Sequence, residues 1–197
     1  MNRIRKIALG VVTAVSVVGG AGCCSSRSTK DLRAVEGFDA ARYMGTWHEI
    51  ARLPQRFERG YRNVTAHYEL KGEKVKIVNR GLVDGVEKSA SATGRFAGAK
   101  NVGALEVSFF WPFYGSYKVL WVSPGYDCAL VTGDSRSDLW ILAREPRLSE
   151  DRLRELLEKA KAWGYDVEAL EYPWSGEVAP TRRVSRMPPS YSGRTGI

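Results

Sequence analysis

From Thr46 onward, apolar and polar residues alternate in short runs separated by Gly, Pro, Asp and Asn, the pattern of antiparallel strands with one buried face. Between Asn63 and Leu70, the side chains of Val64, Ala66, Tyr68 and Leu70 share one face, and those of Thr65, His67 and Glu69 share the other. Lys74 to Gly81 repeats this, with Val75, Ile77 and Asn79 opposed to Lys74, Lys76 and Arg80. The same patterning predicts strands over Trp47 to Leu53, Ser89 to Phe96, Ala104 to Phe110, Tyr117 to Ser123, Cys128 to Thr132 and Leu139 to Arg144, eight in all. Lys71-Gly72, Asp84-Gly85, Gly98-Ala99-Lys100-Asn101, Pro124-Gly125 and Gly133-Asp134 supply turn chemistry between them. Eight strands in meander order predict an all-β fold, an eight-stranded antiparallel up-and-down β-barrel. Closure removes exposed edges and leaves an interior wide enough for one small ligand.

A change of period follows. Ser149 is placed to cap a helix over 149–163, with Glu150 and Asp151 in its first turn and Gly164 as its stop. Leu153, Leu156, Leu157 and Ala160 form one apolar stripe, so this C-terminal α-helix is expected to pack on the outside of the barrel. Asp166 to Tyr172 reads as a ninth strand. Past Pro173 the composition turns to Pro, Ser, Gly and Arg, too poor in large apolar groups to offset ordering entropy. The domain expectation is therefore an export segment over 1–22, a flexible tether over 23–36, a barrel with its helix over 37–174, and a disordered basic tail over 175–197.

Charge and cysteine usage narrow the partners. The formal net charge of +8 sits mostly at the ends, in Arg3, Arg5 and Lys6 and in Arg182, Arg183, Arg186 and Arg194. The body is near neutral and shows no basic stripe interleaved with aromatics, so no nucleic-acid partner is expected. Met1 to Lys6 is positive, Ile7 to Val18 is apolar but too short to span a bilayer, and small residues follow, the order of a secretory signal. Gly20-Ala21-Gly22-Cys23 resembles the bacterial lipobox, which implies acylation of Cys23 and retention at the outer membrane, since no Asp follows it. Gly20 stands where that motif usually has Leu, and Cys24 follows, so plain secretion stays as the alternative. Cys128 alone remains in the body, flanked by apolar residues, which excludes a disulfide scaffold and reads as a buried small hydrophobe.

Phe38 to Arg52, with Gly45-Thr46-Trp47 at its centre, resembles the first signature of the lipocalins. Tyr126, in Ser123-Pro124-Gly125-Tyr126, is similar to the second, and Arg144, closing Leu139 to Arg144, to the third. Arg56 to Gly60 and Val107 to Gly115 further resemble the bacterial outer-membrane branch, so the likeness covers Phe38 to Tyr172. It implies that Gly45, Trp47, Tyr126 and Arg144 are structural. An arginine laid over an indole would close one barrel end through a cation–π contact.

Counting by twos from Trp47 and Arg144 gives the inward face. It takes in Glu49 and Ala51, and later Leu105, Val107 and Phe109, then Tyr117, Val119 and Trp121, with small residues Ala66, Ala92, Gly94 and Ala129 leaving space. The expected ligand-binding residues are Phe57, Tyr68, Val75, Asn79, Phe96, Leu105, Phe109, Tyr117 and Trp140, an apolar wall with few polar groups. The resemblance implies a lipid-anchored carrier of a fatty acid or lysophospholipid, at the outer membrane with the barrel facing the periplasm, and needing no cofactor or metal. A homodimer is a further expected option. Phe109 to Tyr114 carries five aromatics, and its second half is expected to be a loop at the mouth, gating the pocket or touching a bilayer. The chain is not expected to be an enzyme. His48-Glu49-Ile50-Ala51-Arg52 ends in Arg where a zinc motif needs His, and no nucleophile turn or phosphate loop occurs. The alternatives are an envelope enzyme acting on a lipid or isoprenoid through Glu49 with His48 or a tyrosine, and a packed interaction module.

Overall fold

The strand pattern closes on itself. A computed structural model describes residues 28–174, apart from the Phe57 side chain. Its strands are β1 (Gly45–Arg52), β2 (Arg62–Lys71), β3 (Lys74–Val83), β4 (Val86–Phe96), β5 (Ala104–Phe110), β6 (Phe113–Val122), β7 (Cys128–Thr132) and β8 (Leu139–Ala143). Each pairs with the next and β8 pairs back to β1, all antiparallel. A short α1 (Ala40–Tyr43) precedes the barrel and α2 (Glu150–Ala162) follows it. Ser149 caps α2 by accepting from the Arg152 N–H. The expected export segment, Cys23 and the tail expected to be disordered lie outside the described residues.

The core is double because the wall is covered on both faces where α2 lies. Strand β7 alternates between the two clusters: Ala129 and Val131 join Trp47, Tyr68 and Val119 inside the barrel, while Cys128 and Leu130 join Ile141, Leu156 and Ala160 under the helix. Every residue of β7 is buried for that reason. Each strand is paired on both sides, and both clusters are built from residues of this one unit.

At one end the barrel is plugged. The Arg144 guanidinium lies 3.9 Å from the centre of the Trp47 ring. It also donates to the carbonyl oxygens of Tyr126, Thr46, Arg42 and Met44. Gly45 has φ +95°, a conformation that favours glycine, and a Cβ there would also crowd Arg144 Nη1 at 3.2 Å. The Tyr126 hydroxyl accepts from the Asp39 N–H at 2.7 Å, tying the chain before α1 to the same plug. The opposite end carries the connections after β1, β3, β5 and β7, and is the mouth.

Five expectations are corrected. The alternation slips at a bulge between Glu49 and Ala51. Ala51, expected inside, faces α2, and Arg52 turns inward opposite Trp140. A second slip between Val119 and Trp121 moves Trp121 outside as well, where Lys159 sits over its ring. In place of a ninth strand, Val167–Ala169 forms a 3-10 turn and only Glu171 bridges to Arg52. The tether is docked from Ser28 onward: Thr29 is buried with its hydroxyl donating to the Gly133 carbonyl, and Val35 exchanges backbone bonds with Val119 and Gly103. Lys118 holds that segment by donating to the carbonyls of Thr29 and Leu32. Finally, the aromatic loop is only Trp111-Pro112; Phe110 pairs with Phe113 and Gly115 with Val107, because a glycine can pair in a strand as well as interrupt one.

Candidate functional site: a cavity inside the barrel

Between plug and mouth lies a cavity of about 800 Å³, a figure that includes open solvent at the mouth. Val64, Ala66, Ile77, Val107, Val131 and Leu142 supply its apolar wall, each from the inward-facing set of its strand. Of the residues expected to bind ligand, Tyr68, Asn79, Phe109, Tyr117 and Trp140 line it. Val75, Phe96 and Leu105 do not; they belong to the core cluster toward the plugged end, where the narrowing interior is filled by the barrel's own side chains. Phe57 sits in a 3-10 turn over Arg56–Glu58, with its side chain outside the description. Of the four small residues expected to leave space, Ala66 lines the cavity, whereas Ala92 and Ala129 lie in the packed core cluster and Gly94 sits against Val75 and Ile77; Leu70, on the same face as Ala66 in the sequence, is exposed.

Three phenols meet at the floor. Tyr117 shares hydrogen bonds with Tyr43 at 2.7 Å and with Tyr68 at 2.9 Å. Three hydroxyls carry three hydrogens and these contacts use two, so one O–H remains to donate to a ligand or water. Burial raises all three above the ordinary phenol value, which keeps them protonated donors. Tyr43, on α1, had no strand periodicity to reveal it. Higher on the wall, the Asn79 Oδ1 is buried without a protein partner, an acceptor left for something in the cavity.

Nearer the mouth the wall is ionic. Arg52, 2% exposed, donates to Glu49 at 2.6 Å and to the Glu58 carbonyl at 2.8 Å, and its Nε lies 3.6 Å from the Glu58 carboxylate. Trp140 Nε1 donates to that carboxylate at 3.3 Å. Burial raises the pKa of both acids. At Glu49 the Arg52 charge and bond oppose the rise; at Glu58 the neighbouring Glu49 charge adds to it, and the value reaches about 8. Arg52 and Glu58 escaped the sequence reading because the bulge inverts the face of one and a loop carries the other.

His48 and Glu49, the weighed acid–base pair, point to opposite sides of β1: the His48 ring packs edge-on against Trp174 at 5.1 Å. Among the described residues, no group of three His, Cys, Asp or Glu side chains is placed to hold a metal.

A family of lipocalin-like domains matches residues 38–175. The chain belongs to the lipocalins. It is 40% identical over 171 residues to "Outer membrane lipoprotein Blc" of Citrobacter freundii, covering 85% of this chain and 95% of the relative. The protein of the same name in Escherichia coli K12 is 42% identical over 148 residues, covering 74% and 84%. Insecticyanin from the tobacco hornworm Manduca sexta superposes with a TM-score of 0.63 at 20% identity, over 75% of this chain and 86% of that one, and shows the shared barrel. In this lipocalin Gly45, Trp47, Tyr126 and Arg144 close the barrel, and the space they close off is of the kind in which the family holds small hydrophobic ligands. Its relatives' names support association with the outer membrane.

Proposed function

We propose that this lipocalin is a lipid-anchored carrier or store that takes the acyl chain of a fatty acid or lysophospholipid into its barrel within the bacterial cell envelope. The observation that carries this reading is the cavity itself, an apolar wall between a sealed floor and an open mouth, with polar groups at a few points only. Each methylene moved from water onto that wall contributes about 0.8 kcal/mol. Anchoring would come from acylation at Cys23, outside the described residues, with the barrel on the periplasmic side. A single chain holds a protein to a membrane only marginally, whereas the diacylglycerol and acyl chain of a lipoprotein hold it firmly.

The test is native mass spectrometry of residues 25–197, followed by organic extraction and identification of what co-purifies. A stoichiometric single-chain lipid is the expected result, and the same spectra read whether a homodimer forms. An empty barrel whose tryptophan fluorescence does not respond to added fatty acid or lysophospholipid would overturn the reading. Chemical turnover of the extracted lipid would replace carriage with catalysis.

A further inference from the structure

Among its lining residues the cavity offers an anionic head group no lysine, arginine or histidine. Glu49, Glu58 and Asp138 line it, and the neighbouring Arg52 is already engaged by Glu49 and Glu58. A groove on the outer wall has the opposite character. Strands β4 and β5 pair only from Thr93 opposite Ser108 to Phe96 opposite Leu105, so residues 86–92 of β4 have no ladder to β5. Along that unpaired edge runs a groove enclosing about 860 Å³, including open solvent, and lined by Lys74, Lys76, Ser91, Thr93, Ser108 and Tyr114. Phe109 lines both the groove and the interior cavity and is the residue the two linings share.

The groove is built to hold something polar. Ser108 is only 7% exposed, and its hydroxyl has no hydrogen-bond partner. Both lysines are exposed; Lys76 feels the charge of Glu69, which is itself bonded to Lys71. The Tyr114 ring is held 4.2 Å from the Arg95 guanidinium, which fixes one wall.

We propose that this groove is a head-group subsite: the anionic head of a single-chain amphiphile sits on the outer wall among Lys74, Lys76 and Ser108, and its chain passes Phe109 between β4 and β5 into the cavity. The inference rests on the acyl-chain reading above. Passage at this place breaks no strand-to-strand hydrogen bond, since the ladder has already ended. It also leaves the anion beside two ammonium groups and keeps it away from the carboxyl-lined interior.

The experiment uses residues 25–197 with three ligands below their aggregation limits: 1-palmitoyl-lysophosphatidic acid, palmitate and uncharged 1-palmitoylglycerol. Lys74→Ala/Lys76→Ala weakens binding of an anionic ligand about tenfold at low salt and leaves the neutral one within about twofold. The loss falls on lysophosphatidic acid for a phosphate subsite and on palmitate for a carboxylate subsite. Arg147→Ala/Lys161→Ala, which makes the same charge change at exposed positions outside the groove, leaves all three ligands unaffected. Phe109→Ala speeds uptake and release of the anionic ligand. Equal losses for charged and neutral ligands, or no loss for either anion, overturn the subsite. Failure of the unaltered protein to bind any of the three overturns the acyl-chain reading instead.

Discussion

Two arginines reach the interior of this barrel, and its two ends satisfy them by different chemistry. At the plug, Arg144 is held by the Trp47 face and four backbone carbonyls, dipoles that do not titrate. Toward the mouth, Arg52 is held by the carboxylate of Glu49 and by Glu58, groups that gain and lose protons. The plug therefore keeps its geometry across the physiological pH range, while the cavity wall carries charges whose balance depends on pH. A lipocalin needs the first to stay closed; the second sets what can lie against the wall.

The contrast is broken most severely at Arg52. Arg52→Ala leaves the Glu49 carboxylate buried without its cation and is expected to destabilise the fold by about 3–5 kcal/mol at neutral pH, read from denaturant unfolding. The deficit should shrink as the pH is lowered and Glu49 takes up a proton. A loss that stays constant with pH would mean that Arg52 matters for packing and not for charge. Arg144→Ala comes next, at about 2–3 kcal/mol, from the lost cation–π contact and charge-assisted bonds to carbonyls. Its loss should be flat from pH 5 to pH 9, and a steep dependence would show that the plug is not the neutral assembly described.

Glu58 sharpens the comparison with a smaller effect. Its pKa is raised from 4.5 to about 8 by burial and by the Glu49 charge, so the folded state holds a proton that the unfolded state releases. Stability from this group is therefore greatest below about pH 4.5 and falls as pH rises toward about 8. Glu58→Gln, which cannot ionise and leaves the 2.6 Å bond between Arg52 and Glu49 in place, should remove that decline and be about 1–2 kcal/mol more stable than the parent at pH 8. A variant that tracks the parent across the range would show that Glu58 is ionised throughout.

The two ends also differ in how much of them the sequence carried. Gly45, Trp47, Tyr126 and Arg144 were all legible, because their roles follow from local chemistry and from the family's signatures. The barrel order was legible too, since period-two alternation survives wherever one face is wet. It failed at Ile50 and Leu120, where a bulge adds a residue and every later side chain changes face; a bulge leaves no composition signal when both faces are apolar. Arg52 is the sharpest case, reading as solvent-facing yet lying 2% exposed beside the cavity. Ligand candidates Val75, Phe96 and Leu105 were rightly placed inside, but alternation does not say how far along its axis a barrel is filled. The groove beside β4 was invisible for a related reason, since where a ladder ends depends on how two strands diverge in space.

The smallest expected effect lies at the mouth hairpin. Trp111 is 84% exposed and Phe113 lies beside it, also exposed, so neither contributes much to either core cluster. Trp111→Ala should change unfolding free energy by less than about 0.5 kcal/mol, in contrast to the plug, where the fully buried Trp47 replaced by Ala would lose about 3–5 kcal/mol. Fluorescence separates the two indoles: removing Trp111 should strip the red-shifted, readily quenched part of the emission while leaving the unfolding midpoint in place. If the midpoint falls, the hairpin is folded against the barrel in solution and its aromatics are core after all. If it holds, a large apolar ring is being kept in water at the mouth without benefit to the fold, and its use must lie in what the protein meets.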